Sequence, residues 1–223
     1  KVGKAIYYFV CHTVFNDRKG IYGDTSFTPY SDNFFRFALL CKASLQLCEA
    51  INWRPDILHA HDWTAGLVPY FLKVNRNQFF KGTQTVFTIH NLAYQGTFSR
   101  MDFLFANVKP DEKLFCNGQI NMIQSALIFS DYITTVSPTY AKEIQTPEQG
   151  CGLDPILVKR KSKLKGIVNG IDTDEWSPQK DALIPFHFSE GRMAGKAKLK
   201  QEIQKQFNLP VRDDVPLFAM ISR

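Results

Sequence analysis

The chain has 223 residues, 44% of them hydrophobic, which is enough to bury a sizeable core in one large domain or in one domain and part of another. The net charge is +6, but much of it lies in two clusters, Lys159–Lys165 and Lys196–Lys205, which lack the aromatic stacking residues of single-strand nucleic-acid binders. We therefore expect no nucleic-acid partner, although an anionic small substrate is compatible with this charge. Because no run of about 18 apolar residues occurs, we also expect no membrane span.

Neither a disulfide framework nor a cysteine zinc site is predicted. The five cysteines are odd in number, widely spaced and without a C-x-x-C pair. We expect most of them to be small buried hydrophobic residues in a reducing compartment. The expected location is cytoplasmic, or a plastid if the protein comes from a plant or alga. The chain shows no targeting segment and begins almost directly in a strand-like run, so both ends are interpreted as cuts through a larger protein.

Apolar runs and helical patterns alternate along the chain. In chain order they predict a strand-like run at Ile6–Val10, a helix at Phe34–Ala50, a strand at Ile57–Ala60, a helix at Thr64–Val74, a strand at Val86–Ile89, a helix at Asn117–Phe129, a strand at Ile133–Val136, helices at Ser137–Ile144 and Asp154–Lys163, a strand at Gly166–Val168, a helix at Ala194–Phe207 and a strand at Phe218–Ile221. The strands are short, β-branched and without in/out alternation, as in parallel sheets buried on both faces. This order predicts an α/β fold with a doubly wound, Rossmann-like parallel sheet and right-handed crossovers.

Polar residues follow five of the predicted strands, where an open α/β sheet binds its ligands. They are His61-Asp62, His90-Asn91, Ser137-Pro138, Asn169-Gly170 and Ser222-Arg223. On a strand, His59 and His61 point to one face and Asp62 points away. A metal would need a third ligand that this spacing does not provide, so no metal site is predicted. We assign a function to His61 at the strand tip, whereas His59 is either functional or a buried histidine satisfied by its neighbours.

The loop after the second of these strands concentrates hydrogen-bonding side chains. Asn91 and Gln95 offer donors and acceptors together, and Tyr94 offers a flat surface for a sugar ring. This combination suits a polyhydroxylated ligand, with simple turn chemistry as the alternative. The segment Asn169–Asp172 is a turn signal by itself.

Several short segments together resemble a known enzyme family, in the right order and over nearly the whole chain. They are Phe15–Arg18 with Ile21–Gly23, Tyr30–Asn33 with Arg36–Ala38, Trp53–Asp56, His59–Trp63, His90–Gly96, Asn117–Ile120, Thr135–Ala141, Asn169–Asp172, Trp176–Pro178 and Ile221–Arg223. The chain resembles the bacterial glycogen synthases and plant starch synthases of glycosyltransferase family 5. Members of that family extend an α-1,4-glucan with glucose from ADP-glucose.

The resemblance implies a GT-B enzyme, in which two Rossmann-like domains face each other across a cleft. Residues 1–165 would form most of the N-terminal, acceptor-side domain. Residues 166–223 would form the inter-domain segment and the start of the C-terminal domain, which binds the nucleotide sugar. The active site would then be incomplete in this chain, and we expect the isolated chain to be nearly inactive. The resemblance implies ADP-glucose and an α-glucan as partners, and no cofactor.

Two residues are implied to be catalytic. By resemblance, His61 would meet the donor glucose near its anomeric centre, and Asp32 would lie beside the donor sugar or the incoming acceptor. Transfer with retention needs cationic groups at the phosphate and oriented dipoles near the sugar. A hydrolase would instead need two carboxylates about 5 to 9 Å apart across the bond. Asp32 and Asp62 are the only candidates for that pair, and the strand pattern points Asp62 away from His61, so a glycosidase is disfavoured.

The remaining implied contacts divide between donor and acceptor. Arg223 would hold the donor diphosphate, and Asn169 with Gly170 would approach the nucleotide sugar. The implied acceptor contacts are Asn91, Tyr94 and Gln95. The Lys-x-Gly-Gly-Leu loop of the family has no match near the beginning of the chain. A non-catalytic glucan-binding module and another GT-B transferase therefore remain alternatives, and the choice between ADP-glucose and UDP-glucose remains open.

Overall fold

The computed structural model describes residues 5–16, 18–75, 78–106 and 111–222. The chain divides into two compact units, Lys1–Asn169 and Gly170–Arg223. In the first unit the helices and strands are α1 (Asn33–Ala50), β1 (Ile57–His61), α2 (Val68–Asn75), β2 (Gln84–Ile89), β3 (Thr97–Phe98), β4 (Phe115–Cys116), β5 (Gln119–Asn121), α3 (Met122–Phe129), β6 (Tyr132–Thr135), α4 (Pro138–Glu143), α5 (Asp154–Lys159) and β7 (Leu164–Gly166). The second unit contains α6 (Ala194–Gln206).

The main sheet is parallel, with its strands in the order β1, β2, β6, β7. Because the chain steps across this sheet in one direction, right-handed crossovers place successive helices on the same face. There α2 packs against both α1 and α3. The buried side chains Ala60, Phe87 and Ile133 come from neighbouring strands and fill the space beneath these helices. The predicted α/β fold with a Rossmann-like parallel sheet is confirmed.

The opposite face of the sheet carries polar side chains at the carboxyl ends of its strands. The register pairs His61 with Thr88 and Thr88 with Thr134, and paired residues of parallel strands point to the same side. His59 lies two residues earlier on β1 and shares this face. The fold thus collects a row of imidazoles and hydroxyls at one edge of the sheet.

A second, antiparallel sheet shortens one predicted helix. It has the strand order β3, β5, β4, and it includes Gln119–Asn121, which the sequence pattern placed in a helix beginning at Asn117. Helix α3 begins only at Met122, because the backbone before it pairs in the sheet and the Asn121 side chain accepts a hydrogen bond from the backbone N–H of Gln124. The Gly96 carbonyl accepts from the Met122 N–H, which joins this helix start to the loop after β2.

The observed ends of several other helices and strands differ from the predicted ones by a few residues. The helix predicted from Thr64 splits into a 3₁₀ turn at Trp63–Ala65 and α2. Strand β7 lies two residues before the predicted Gly166–Val168, since Leu164–Gly166 pairs with β6. Helix α4 begins at Pro138, one residue after the predicted start, because Ser137 is its N-cap, with its hydroxyl accepting from the Tyr140 N–H.

Two predicted strands are wrong. Ile6–Val10 forms no strand, and its side chains include Phe9, which is 84% exposed. Phe218–Ile221 is also without strand structure, and Ile221 is fully exposed. An apolar run becomes a strand only where a neighbouring strand takes up its backbone hydrogen bonds. Neither run is paired with another strand in the part of the chain that the structure describes.

Two of the four cysteines whose side chains the structure describes are buried, as the sequence predicted for most of them. Cys41 and Cys48 are buried and free, and burial raises the pKa of the Cys41 thiol to about 12. Cys11 and Cys151 are free but exposed, because both lie in turns or loops rather than in the core. Within the described ranges, no helix has the length and hydropathy needed to cross a bilayer.

Candidate functional site

Three histidines meet at the carboxyl ends of β1 and β2. The rings of His59 and His61 stack with their centroids 4.2 Å apart, and those of His61 and His90 lie 5.3 Å apart. Nδ1 of His61 shares a hydrogen bond with Nε2 of His90 at 3.1 Å. This bond leaves Nε2 of His61 to meet a ligand at the strand end.

The surroundings of His61 favour its neutral form. Partial burial lowers the pKa of His61, and the positive charges that His59 and His90 can carry lower it further, against an opposing effect of Asp62. Burial, together with His90, also lowers the pKa of His59. A neutral imidazole both donates and accepts hydrogen bonds, whereas a protonated one only donates. The cluster is therefore suited to bind hydroxyl groups near neutral pH.

Asp62 fastens the two strand ends together. Its Oδ1 accepts the backbone N–H groups of His90 at 2.9 Å and Asn91 at 3.4 Å, while its own N–H donates to the carbonyl of Thr88 at 3.0 Å. Its backbone has φ +53° and ψ −177°, a conformation that side-chain-bearing residues rarely adopt and that costs on the order of 1–3 kcal/mol. The carboxylate of Asp62 thus holds the loop after β2, which also argues against a role in glycoside hydrolysis.

Trp63 holds the other end of the same loop. Gly96 has φ +63°, and a Cβ on it would lie 2.6 Å from the indole of Trp63. The indole itself packs edge-on against Phe37 of α1, at 4.7 Å between ring centroids. The Asp62-Trp63 pair therefore clamps both ends of the loop from His90 to Gly96. The sequence pattern does not predict this role of Trp63, although Gly96 is a signal of close backbone approach.

The predicted acceptor residues of this loop have different surroundings. Tyr94 is 68% exposed, and Asn91 is exposed with its Oδ1 accepting the N–H of Ala93. Gln95, in contrast, donates from Nε2 to the carbonyl of Cys151 at 2.9 Å, and its Oε1 accepts from Nδ2 of Asn121 at 2.5 Å. Asn91 and Tyr94 are accessible to a ligand, while the amide of Gln95 is already engaged by the protein.

This difference predicts separate effects of two substitutions. We expect Gln95→Ala to lower the free energy of unfolding of the full-length protein by about 1–3 kcal/mol, since it leaves the partners of a half-buried amide unpaired. We expect Tyr94→Ala to leave stability within about 0.5 kcal/mol, because the exposed ring packs against little of the protein. The same substitution should weaken the glucan binding that the family resemblance implies. Denaturant unfolding and glucan affinity electrophoresis measure the two effects. Equal loss of glucan affinity in both variants would contradict this division of roles.

Asp32 lies at the start of α1 and is paired with Arg18. A guanidinium nitrogen of Arg18 donates to Oδ2 of Asp32 at 2.7 Å, and the Arg18 guanidinium also lies over the Tyr30 ring at 4.5 Å. Oδ1 of Asp32 is buried and has no hydrogen-bond partner among the described residues. The residue lines a cavity of about 350 Å³ that also includes Phe35 and Asp102. Asp32 is thus fixed by an ion pair beside an open space.

Arg36, one turn into α1, organises the segment that carries Arg18. Its buried guanidinium donates to the carbonyls of Val14 and Ile21 and to Oδ1 of Asn33. Burial lowers the pKa of Arg36, the nearby Asp32 opposes this shift, and a guanidinium still remains charged. The Arg36 side chain therefore folds the preceding loop onto the helix and so sets the position of the pair formed by Arg18 and Asp32.

Comparisons with known proteins show the family of this chain. The family model for the starch synthase catalytic domain matches residues 1–159. The chain belongs to the starch synthase catalytic domain family. It is 45% identical over 227 residues to a glycogen synthase of Anaeromyxobacter sp. (strain Fw109-5), covering 99% of this chain and 47% of that protein. It is 43% identical to a glycogen synthase of Treponema denticola, covering 97% of this chain and 45% of that protein.

A solved structure of the same family has a similar fold. It is the catalytic domain of starch synthase IV from Arabidopsis thaliana bound to ADP and acarbose, with a TM-score of 0.71 and 35% sequence identity over 81% of this chain and 38% of that one. These relatives are named glycogen synthase and starch synthase, and the family resemblance inferred from the sequence segments is confirmed. The chain spans about half the length of the glycogen synthases it matches.

The residues expected to contact the nucleotide-sugar donor make few contacts in the structure or lie outside the described residues. Asn169 and Gly170 are exposed, and they lie at the boundary between the two compact units. Arg223 lies outside the described residues, so its expected diphosphate contact stays a prediction. In the described ranges, no cluster of three or more His, Cys, Asp or Glu side chains suits a metal ion.

Proposed function

We propose that the full-length protein containing this chain transfers glucose from ADP-glucose to the non-reducing end of an α-1,4-glucan, with retention of configuration. The observation that carries this proposal is the position of His61 at the end of β1, held between His59 and His90 in a chain of the starch synthase family. A glycogen synthase name among the relatives, and ADP and acarbose in the related plant structure, support the substrate classes.

The residues would act mainly by orientation and charge. The bond between the anomeric carbon and the donor diphosphate breaks and ADP leaves with the electron pair. The acceptor hydroxyl oxygen forms the new glycosidic bond, and its proton passes to the departing diphosphate. Nε2 of His61 would bond a hydroxyl of the donor glucose and hold the sugar as positive charge develops at its ring. Asp32 would lie beside the reacting sugars, and Arg223, Asn169 and Gly170 would hold the nucleotide sugar.

The acceptor glucan would lie along the loop after β2. Asn91 and Tyr94 present an amide and an aromatic face that are both exposed. Carbohydrate binding uses this combination, because hydroxyl groups bond to amides and the apolar face of a sugar packs on an aromatic ring. Gln95 would contribute by keeping the loop in place through its bonds to Cys151 and Asn121.

The direct test is incorporation of labelled glucose into glycogen by the full-length protein, with ADP-glucose and UDP-glucose compared side by side. We expect transfer from ADP-glucose to exceed transfer from UDP-glucose by roughly tenfold or more, corresponding to about 1.4 kcal/mol of discrimination. Preference for UDP-glucose would contradict the proposed donor. No transfer from either donor, with glucan binding retained, would instead favour a non-catalytic glucan-binding module.

A further inference from the structure

A continuous set of contacts reaches from the centre of the sheet to His61. Oγ1 of Thr88 lies 2.6 Å from Nε2 of His59 and 2.6 Å from Oγ1 of Thr134. These three residues belong to the neighbouring strands β1, β2 and β6. The ring of His59 in turn stacks on the ring of His61. We propose that Thr134, Thr88 and His59 form a positioning relay that fixes the orientation of the His61 ring.

The direction of one hydrogen bond in the relay determines the direction of the other. A threonine hydroxyl has one proton to donate, so Thr88 can donate to only one of its two close partners and must accept from the other. Whichever direction is taken, Nε2 of His59 is engaged and its ring cannot turn without breaking a short bond. Because Thr88 is only 8% exposed, water does not readily replace that bond.

The relay acts on His61 from one side, and His90 acts from another. The face of the His61 ring meets His59, and its Nδ1 meets Nε2 of His90. The titratable groups that influence the pKa of His61 are His59 on β1, Asp62 directly after β1 and His90 directly after β2. With one face and one nitrogen occupied, the ring presents Nε2 in one direction. This inference rests on the proposed function, in which that nitrogen meets the donor sugar.

Threonine-to-valine substitutions in the full-length protein test the relay while keeping side-chain shape. We expect Thr88→Val to lower kcat roughly 5- to 10-fold, as the loss of one hydrogen bond would, with KM for ADP-glucose and glycogen within about twofold. Thr134→Val should have a smaller effect of roughly 2- to 3-fold, since Thr88 keeps its bond to His59.

Thr85→Val is the matched control. Thr85 lies on the same strand, is fully buried, and donates its hydroxyl to Asp131 at 2.9 Å, but it faces the helices rather than the histidines. We expect it to destabilise the protein about as much as Thr88→Val does while changing kcat by less than about twofold. Equal effects of Thr85→Val and Thr88→Val on kcat would overturn the relay, because stability loss alone would then explain both.

The pH dependence of kcat provides a readout that a purely structural role would not change. His61 acts as the neutral form, so activity falls as pH drops through its pKa. Replacing His59 with asparagine removes a neighbouring positive charge and some burial, both of which lower the pKa of His61 in the wild type. The acid limb of the kcat profile should therefore move to higher pH in His59→Asn. An unmoved limb, or one at lower pH, would contradict the inference.

A spectroscopic measurement separates failure of the relay from failure of the proposed function. Imidazole ¹⁵N shifts of histidine-labelled full-length protein report the tautomer and protonation of each ring without any substrate. We expect the His61 signals to change in Thr88→Val and not in Thr85→Val. If glucose transfer is absent but these signals change as expected, only the proposed function fails. If transfer is present and the signals do not change, only the relay fails.

Discussion

Replacing His61 with alanine in the full-length protein is expected to lower kcat for glucosyl transfer by roughly 100- to 1,000-fold. The expected loss equals that of one oriented donor at a site where charge develops during the reaction. The side chain stands at the end of β1, where two neighbouring imidazoles hold its ring and leave one nitrogen for a ligand. Substrate binding depends on many other contacts, so KM should change much less than kcat.

The matched control for this variant is His187→Ala. His187 is an exposed histidine of the second unit whose Nε2 bonds the backbone carbonyl of Asp181 at 2.9 Å. Initial rates of labelled glucose transfer to glycogen, measured over a range of ADP-glucose concentrations, give kcat and KM for both variants. Wild-type kcat in His61→Ala, or an equal loss in His187→Ala, would remove His61 from the proposed mechanism.

Phe87→Ala is expected to destabilise the first unit by about 3–5 kcal/mol. Phe87 is fully buried on β2, a central strand, where it pairs in register with Ala60 on one side and Ile133 on the other. Removing the ring leaves a cavity beneath the helices that neighbouring side chains cannot fill without moving the sheet. For a unit of this size, the melting temperature should fall by about 10 °C.

An exposed phenylalanine provides the comparison. Phe207 is 68% exposed at the end of α6, and we expect Phe207→Ala to change the free energy of unfolding by less than about 0.5 kcal/mol. Thermal unfolding of both full-length variants, followed by circular dichroism, measures the difference. A melting temperature in Phe87→Ala within about 2 °C of wild type would mean that β2 does not form the centre of the core.

The main sheet and the helices of the first unit were predictable because short apolar runs and helical patterns alternate along the chain. Short β-branched runs predicted β1, β2 and β6, and the Ser-Pro pair at the start of α4 marked its N-cap and first turn. The failures occurred where a long-range partner decides the outcome. Gln119–Asn121 pairs with two other strands instead of joining α3, and Phe218–Ile221 has strand composition but no strand pairing.

The candidate site likewise has features that local sequence predicts and features that depend on distant residues. His61 and the polar loop residues could be found because parallel strands place ligands at their carboxyl ends, and the family resemblance named the same positions. The engagement of Gln95 could not be found, because its partners Cys151 and Asn121 are distant in sequence. The role of Asp62 was also hidden, since strand alternation predicts only that its side chain points away from His61.

The sequence by itself determined the α/β class, the family and the strand-end positions of the candidate residues, because periodicity and short motifs are properties of neighbouring residues. Only the tertiary structure decided that His59 reaches Thr134 through Thr88, because that path joins three strands through their register. It also decided that Asp32 is paired with Arg18 and that Asp62 and Trp63 clamp one loop. Such contacts depend on distances of a few ångströms between residues far apart in the chain, which local sequence patterns do not encode.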